Sequence, residues 1–415
     1  MNAAFHYRHG VLHCEDVDLR DIASQAGTPC YVYSSAALLD GWRAFEQGLA
    51  GLPHLVCFAV KANGNLAVLR LLAEAGAGFD IVSGGELYRV LRAGADPARV
   101  VFSGVGKTRH EIEAALEAGI HSFNCESEEE LRLLSALASR TGRTARAAIR
   151  VNPDIDAATH PYISTGLRRH KFGIPMEEAE ELYLRAAALP GIALEGASCH
   201  IGSQLLDTAP LIAAADRMAA FVQRLRKKGI AVKFLDLGGG LGVPYRREDP
   251  APDVASYLRH VRRVAGELRV ELLLEPGRFI AGPAGVLLTT LLYRKKSGGK
   301  EFLIVDASMT DLIRPALYEA HHEIVPVRPQ GRPRITADIV GPVCESSDFL
   351  AEEREIEAPL PGDCLAVMTA GAYGFVMASN YNARPRPCEV LVEGSTWRVV
   401  RRRETHEDLI RGEEG

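Results

Sequence analysis

Phe58-Ala59-Val60-Lys61-Ala62-Asn63 is the stretch from which the rest of the chain can be read. An apolar run begins at Leu55, carries a lysine at its end and stops at the turn-forming pair Asn63-Gly64. A lysine there either snorkels to water from a strand end or reacts with something. The reactive reading is a Schiff-base lysine. It needs a depressed pKa, because an ordinary ammonium titrates near ~10.4 and an apolar pocket is what disfavours the charged form. Lys61 alone leaves both readings open.

Outward from Leu55 the chain alternates short apolar or β-branched runs with amphipathic stretches rich in Ala, Leu, Glu and Arg. Strand candidates fall at 55–61, 78–83, 100–104, 122–125, 147–152, 194–201, 234–238 and 272–275. Helical patterns separate them, for example 66–75, 110–118, 209–228 and 254–268. This α/β alternation predicts a parallel (β/α)8 TIM-type barrel, with a doubly wound open sheet as the weaker option. After Gly282 the pattern changes to strands separated by Gly/Pro turns, at 286–293, 302–306, 323–327, 335–340, 364–368, 388–392 and 397–400. A second, mostly antiparallel β domain follows, which the strand at Cys30–Tyr33 is expected to join. The expected boundaries are 36–282 for the barrel and 1–35 plus 283–415 for the β domain.

In a barrel of this type the chemistry sits where strands stop. The candidate strands stop at Lys61, at Asp80 to Ser83, at His200-Ile201-Gly202-Ser203-Gln204, at Gly238-Gly239-Gly240 and at Glu275-Pro276-Gly277-Arg278. A lysine, an acid, a histidine, a glycine cradle, a second acid and an arginine therefore converge on one mouth. Bare glycine amides suit a phosphate, although a tight turn explains them too, and Arg278 can add a charge-assisted contact. A lysine, a phosphate cradle and a carboxylate together fit pyridoxal 5'-phosphate, whose ring nitrogen wants a carboxylate to stay protonated. Glu275 suits that place, and His200 could stack on the ring. Ser103-Gly104-Val105-Gly106-Lys107-Thr108 is no P-loop, since position 101 is Val101 rather than glycine; Lys107 and Arg109 are expected to decorate a loop and a helix start.

Composition excludes other classes. The 415 residues are 47% hydrophobic with a net charge of -5, which offers no basic stripe to nucleic acid. Glu128-Glu129-Glu130 and Arg401-Arg402-Arg403 read as solvated faces, and the last dozen residues as frayed. No uncharged run approaches the about 18 residues of a membrane span, and the first residues do not resemble a signal peptide, so no membrane contact and a cytoplasmic location are expected. The 8 cysteines are scattered without metal-ligand spacing, and His321-His322 is adjacent rather than i,i+4, so no metal site is expected.

The quoted stretches, with Phe-Asp-Ile-Val-Ser-Gly-Gly-Glu-Leu at 79–87, resemble the fold-type III pyridoxal phosphate decarboxylases. Within them the chain is similar to the diaminopimelate decarboxylases from about residue 28 to 393. Thr159-His160-Pro161-Tyr162-Ile163-Ser164-Thr165-Gly166 and Gly341-Pro342-Val343-Cys344-Glu345-Ser346-Ser347-Asp348 carry the resemblance further. It implies decarboxylation of meso-2,6-diaminopimelate to L-lysine and CO2, the last step of bacterial lysine biosynthesis. It also implies that Lys61 attaches the cofactor, His200 stacks on it and Glu275 holds the ring nitrogen. Ser203, Gly239, Gly240, Arg278 and Tyr373 would surround the phosphate, with Asp80 and Gly277 completing the cofactor contacts. Arg278, Arg314, Tyr318, Glu345 and Tyr373 match substrate-contacting positions, and Cys344 matches the proton donor. In the family Cys344 and Glu345 enter the partner subunit's site, which implies a homodimer with shared active sites.

The far end of the substrate separates the possibilities. A monoamine end needs only an anion, whereas a second amino-carboxylate needs a cation and an anion together, and Arg314 with Glu345 could supply them. An interface salt bridge between the two is the other reading. The neighbouring alternatives are a decarboxylase for carboxynorspermidine, ornithine or another diamino acid, an alanine-racemase-like enzyme, and a binding-only homologue. Racemases of that type place Arg on the ring nitrogen, and Lys61, Glu275 and Cys344 together argue against a dead homologue.

Overall fold

A computed structural model describes residues 4–155 and 171–413, so Thr159–Gly166 lies outside the described residues. The chain divides into two units. One comprises Gly41–Val243 and Pro250–Phe279; the other comprises Met1–Asp40, Pro244–Asp249 and Ile280–Gly415.

The first unit is the barrel. Its strands are β1 (His54–Ala59), β2 (Gly78–Ile81), β3 (Val100–Phe102), β4 (Ser122–Cys125), β5 (Ala145–Asn152), β6 (Ile192–Ser198), β7 (Phe234–Asp236) and β8 (Glu271–Leu274). Each pairs in parallel with the next, and β8 closes on β1 through Leu272↔His54 to Leu274↔Val56. Parallel strands covered on both faces read as continuous apolar runs, and β1 is buried from Leu55 to Ala59. Leu55, Cys57, Val101, Ala148, Phe234 and Leu273, from β1, β3, β5, β7 and β8, pack together as one cluster. Helix starts carry side-chain caps: Asn65 and Ser83 accept from the amides of Ala67 and Glu86, and Thr108 forms a capping box with Glu111.

Expected strands overran at their functional ends. β1 stops at Ala59, and Val60–Ala62 form a 3-10 turn that carries Lys61. A turn swings the lysine sideways from the strand axis, onto Asp80. Two charged groups expected at the surface are internal. Lys107 has a side chain 1% exposed and donates, each at 2.7 Å, to Gly104 O, Asn124 O and Glu130 Oε1. Glu130, one of the three consecutive glutamates, is therefore the counter-ion of a buried lysine rather than part of a solvated face; Arg109 is exposed.

The second unit is a mostly antiparallel sheet. Its order runs Phe349–Glu357, Arg334–Val340, Lys300–Val305, Gly285–Ser297, Cys30–Ser34, Cys388–Glu393 and Thr396–Arg401. Cys30–Ser34 pairs in parallel with Cys388–Glu393, as the N-terminal strand was expected to join this domain. The segment expected to be extended from Phe5 to Cys14 is a hairpin turning at His9-Gly10, both with positive φ. Phe349–Glu357 has no counterpart among the expected strands. Glu352, Glu353, Arg354 and Glu355 mask its alternation, yet Leu350 and Ile356 are each 1% exposed and the strand is an edge that charge protects. The tail is ordered rather than frayed through residue 413. Arg401 pairs with the buried Glu389, and Thr405 with Asp408 caps the helix His406–Leu409.

Candidate active site

Within the barrel unit the strand ends form two connected polar groups. At the end of β1, Lys61 Nζ donates to Asp80 Oδ2 at 2.5 Å, and Asp80 is fully buried on β2. Beyond β8, Glu275 is 6% exposed and its Oε1 accepts from Ser103 Oγ at 3.2 Å and from Asn124 Nδ2 at 3.4 Å. Asn124 also donates to Asp236 Oδ2 at 2.8 Å. Burial raises the Glu275 pKa well above the ordinary carboxylate range, with Asp236 and Asp80 adding repulsion and Lys61 opposing it. Burial raises Asp236 as well.

The ends of β6 and β7 zip together. Leu205 N donates to Gly240 O at 3.0 Å, and Gly239 N donates to His200 Nδ1 at 3.1 Å. An Nδ1 that accepts leaves the ring proton on Nε2, so His200 is neutral. Burial, reinforced by Arg150 and Lys61, holds its pKa well below the usual value. Arg278 Nη2 donates to Ser203 Oγ at 3.0 Å. Gly239 and Gly240 are glycines for different reasons. A Cβ on Gly239 would lie 2.3 Å from Glu275 O, while Gly240 has φ +105 and a Cβ there would lie 2.7 Å from Gly202 O. The glycine run is thus less a bare phosphate cradle than a close approach of three strand ends, since the Gly238 amide is also engaged, by Asp236 Oδ1 at 2.9 Å. Gly277 brings the β8 turn within 3.0 Å of Ala59 and Ala62, measured from its would-be Cβ.

The barrel residues fit pyridoxal 5'-phosphate. Asp80, Asp236 and Glu275 are three buried carboxyls, of which Asp236 and Asp80 raise the proton affinity of Glu275, and Asp80 Oδ1 has no hydrogen-bond partner among the described residues. A cationic ring N–H at Glu275 relieves that excess of negative charge. Lys61 supplies an amine at the same mouth, Arg278 with Ser203 a cation and a hydroxyl for a phosphate. Asp236, Asn124 and Ser103 were missed in the sequence. Their signal was available, since each is a polar residue on or just after an apolar strand, as Asp80 is.

The remaining predicted residues lie in the β unit. Arg314 begins the helix Arg314–Tyr318, is 5% exposed and donates from Nη1 to His322 Nε2 at 2.8 Å. Tyr318, at the other end of that helix, is partly exposed. Tyr373 has φ +56, an uncommon conformation outside glycine, and precedes Gly374, where a Cβ would lie 2.6 Å from Ala370 O and 2.7 Å from the Tyr31 hydroxyl. Asp348 pins the loop that carries Cys344: its Oδ1 accepts from Met309 N and its Oδ2 from Val343 N, each at 2.6 Å. Cys344 and Glu345 stand exposed at the tip, and Cys344 is the one exposed cysteine of the eight. It is not the buried packing residue that a free cysteine usually is.

Residues 36–282 match the family described as pyridoxal-dependent decarboxylase, pyridoxal binding domain. The chain is 55% identical over 409 residues to a diaminopimelate decarboxylase of Pseudomonas aeruginosa, covering 99% of this chain and 98% of that one. It superposes on the crystal structure of diaminopimelate decarboxylase from Helicobacter pylori complexed with L-lysine with TM-score 0.92 at 42% identity, covering 96% and 99% of the two chains. For the M. jannaschii diaminopimelate decarboxylase in co-complex with L-lysine the TM-score is 0.95 at 36% identity, over 100% and 98%.

Proposed function

Because the chain belongs to the diaminopimelate decarboxylases, a family of pyridoxal-dependent enzymes, we propose that it converts meso-2,6-diaminopimelate to L-lysine and CO2 with the residues described above. The observation that carries the proposal is the presence of Lys61, bonded to Asp80, and a second buried carboxyl group, Glu275, at one barrel mouth. Pyridoxal 5'-phosphate, when bound, supplies the electron sink that takes up the bond pair released as CO2 departs.

Every other part is a task for side chains. Lys61 Nζ is the amine that holds the cofactor, and Asp80 orients it. Glu275, kept in place by Ser103 and Asn124 and seconded by Asp236, holds the ring N–H and keeps it cationic. The neutral His200 ring, fixed by Gly239 N–H, offers an uncharged face for stacking. Arg278 and Ser203 hold the phosphate with Gly239, Gly240, Gly277 and Tyr373 around them. Arg278, Arg314, Tyr318, Glu345 and Tyr373 bind the substrate. The Cys344 thiol donates its proton to Cα after CO2 leaves, and solvent reprotonates the thiolate; a positioned acid contributes about 10²–10⁴-fold.

An exposed thiol and carboxylate on a pinned loop tip suit delivery to a second copy of the chain, so the active unit is a homodimer whose sites each take Cys344 and Glu345 from the partner. Among the described residues no helix is long and apolar enough to cross a membrane. The cytoplasmic location and the lack of a nucleic-acid partner stand as part of this proposal.

The test is CO2 and L-lysine release from meso-diaminopimelate by the holoenzyme, run beside ornithine, lysine, arginine and carboxynorspermidine. Selective turnover of diaminopimelate supports the substrate. A cofactor absorbance band without that turnover keeps the cofactor site and refutes the substrate, and loss of the band in Lys61→Ala is the expected control.

A further inference from the structure

We propose that His322 is a positioning residue that aims the Arg314 guanidinium at the substrate carboxylate retained in L-lysine; this rests on the reading of Arg314 as a substrate-binding residue. His322 has no solvent exposure. Its Nε2 lies 2.8 Å from Arg314 Nη1, and its Nδ1 lies 2.8 Å from the carbonyl oxygen of Met368. Tyr245 completes the arrangement. The guanidinium carbon stands 4.6 Å from the centroid of its ring, and the His322 ring meets the same tyrosine edge-on at 5.1 Å and 76°.

These contacts fix the state of the imidazole. A guanidinium has N–H donors and no acceptor, so the Nε2 that faces it must offer a lone pair. A carbonyl oxygen only accepts, so Nδ1 carries the hydrogen. His322 is therefore neutral and locked in one tautomer by the backbone of the segment after Cys364–Val367. The choice of residue has a consequence for binding. A carboxylate in the place of His322 would grip Arg314 more tightly, yet it would cancel the charge that an incoming carboxylate has to find. Imidazole and the tyrosine face direct the planar fork without adding negative charge.

The experiment uses holoenzyme variants H322L, H322Q, R314A and H322L/R314A. It reads kcat and KM for meso-diaminopimelate, and calorimetric Kd values for L-lysine and for 1,5-diaminopentane, which has no carboxylate. A hydrogen bond to a charged group corresponds to about 10- to 100-fold in binding. H322L is expected to raise KM and the L-lysine Kd by about that factor, with kcat and the diaminopentane Kd each within about threefold of wild type. H322Q, whose amide oxygen reaches the Nε2 position, is expected to recover most of the loss, and H322L should add nothing in the R314A background. An unchanged KM in H322L, a parallel rise for diaminopentane, or a full H322L effect without Arg314 would overturn the role of His322. If R314A fails to discriminate L-lysine from diaminopentane, the reading of Arg314 falls and this proposal with it. Should H322L not fold, H322Q is compared with H322N, whose oxygen falls a methylene short; equal KM values there would also overturn it.

Discussion

Gly239→Ala tests whether the β6, β7 and β8 ends are as close as the structure makes them. The new Cβ would sit 2.3 Å from Glu275 O, 3.2 Å from Glu275 C and 3.8 Å from His200 Cε1. A carbon–oxygen contact relaxes only near about 3.5 Å, so a backbone carbonyl rather than a flexible side chain has to retreat by roughly 1 Å. Overpacking of this kind costs about 1–3 kcal/mol, which for a unit of this size lowers Tm by about 2–10 °C. The displaced carbonyl belongs to Glu275 itself, and a catalytic group misplaced by about 1 Å loses on the order of 10²-fold in rate. The assay pairs a melting curve with kcat/KM and a pyridoxal phosphate titration, and uses Gly106→Ala, where a Cβ meets nothing within 4 Å, as the control. A Gly239→Ala enzyme that melts within about 1 °C of wild type and keeps its kcat/KM would show that the glycine only makes a turn, against the close-approach argument.

Cys344→Ala should slow turnover by about 10²-fold or more while leaving the cofactor absorbance intact; near-normal kcat would reject the thiol as proton donor. Lys107→Met removes the partner of the buried Glu130 and should cost about 3–5 kcal/mol, read as a shift of the urea midpoint, with a surface lysine expected to cost far less. For Glu275 the sign follows from its raised pKa. Above the ordinary glutamate value near ~4.3 the unfolded chain releases a proton that the native state keeps, so the cofactor-free protein loses stability as pH rises from there through the folded pKa. Glu275→Gln removes this contribution, and urea midpoints measured as pH rises above the ordinary glutamate value should fall less steeply than in wild type; an unaltered slope would assign the pH dependence elsewhere.

The barrel could be read in the chain because its signals are local. Apolar runs of strand length alternate with helical periodicity, and the strand ends carry Lys61, Asp80, His200, Gly239 and Glu275. Once parallel strands close, their ends must share a mouth, so strand-end residues become neighbours without knowledge of any single contact. What the sequence left undecided depends on pairing between distant segments. Whether Lys107 is a surface cation or a buried ion rests on Glu130 and on carbonyls of two loops. Asp236 becomes part of the Glu275 site through Asn124, 112 residues before it, and through its own hydrogen bond with Glu275. The strand at Phe349–Glu357 exists because Arg334–Val340 offers it an edge, against its own charged composition. Arg314, Tyr245 and His322 acquire their arrangement from two separated segments and the Met368 carbonyl. Hydrophobic periodicity is a property of neighbours in the chain, so the sequence alone determined the architecture and its chemistry-bearing ends. The state and aim of a buried charge depend on which partners desolvate and satisfy it, and that only the tertiary structure decided.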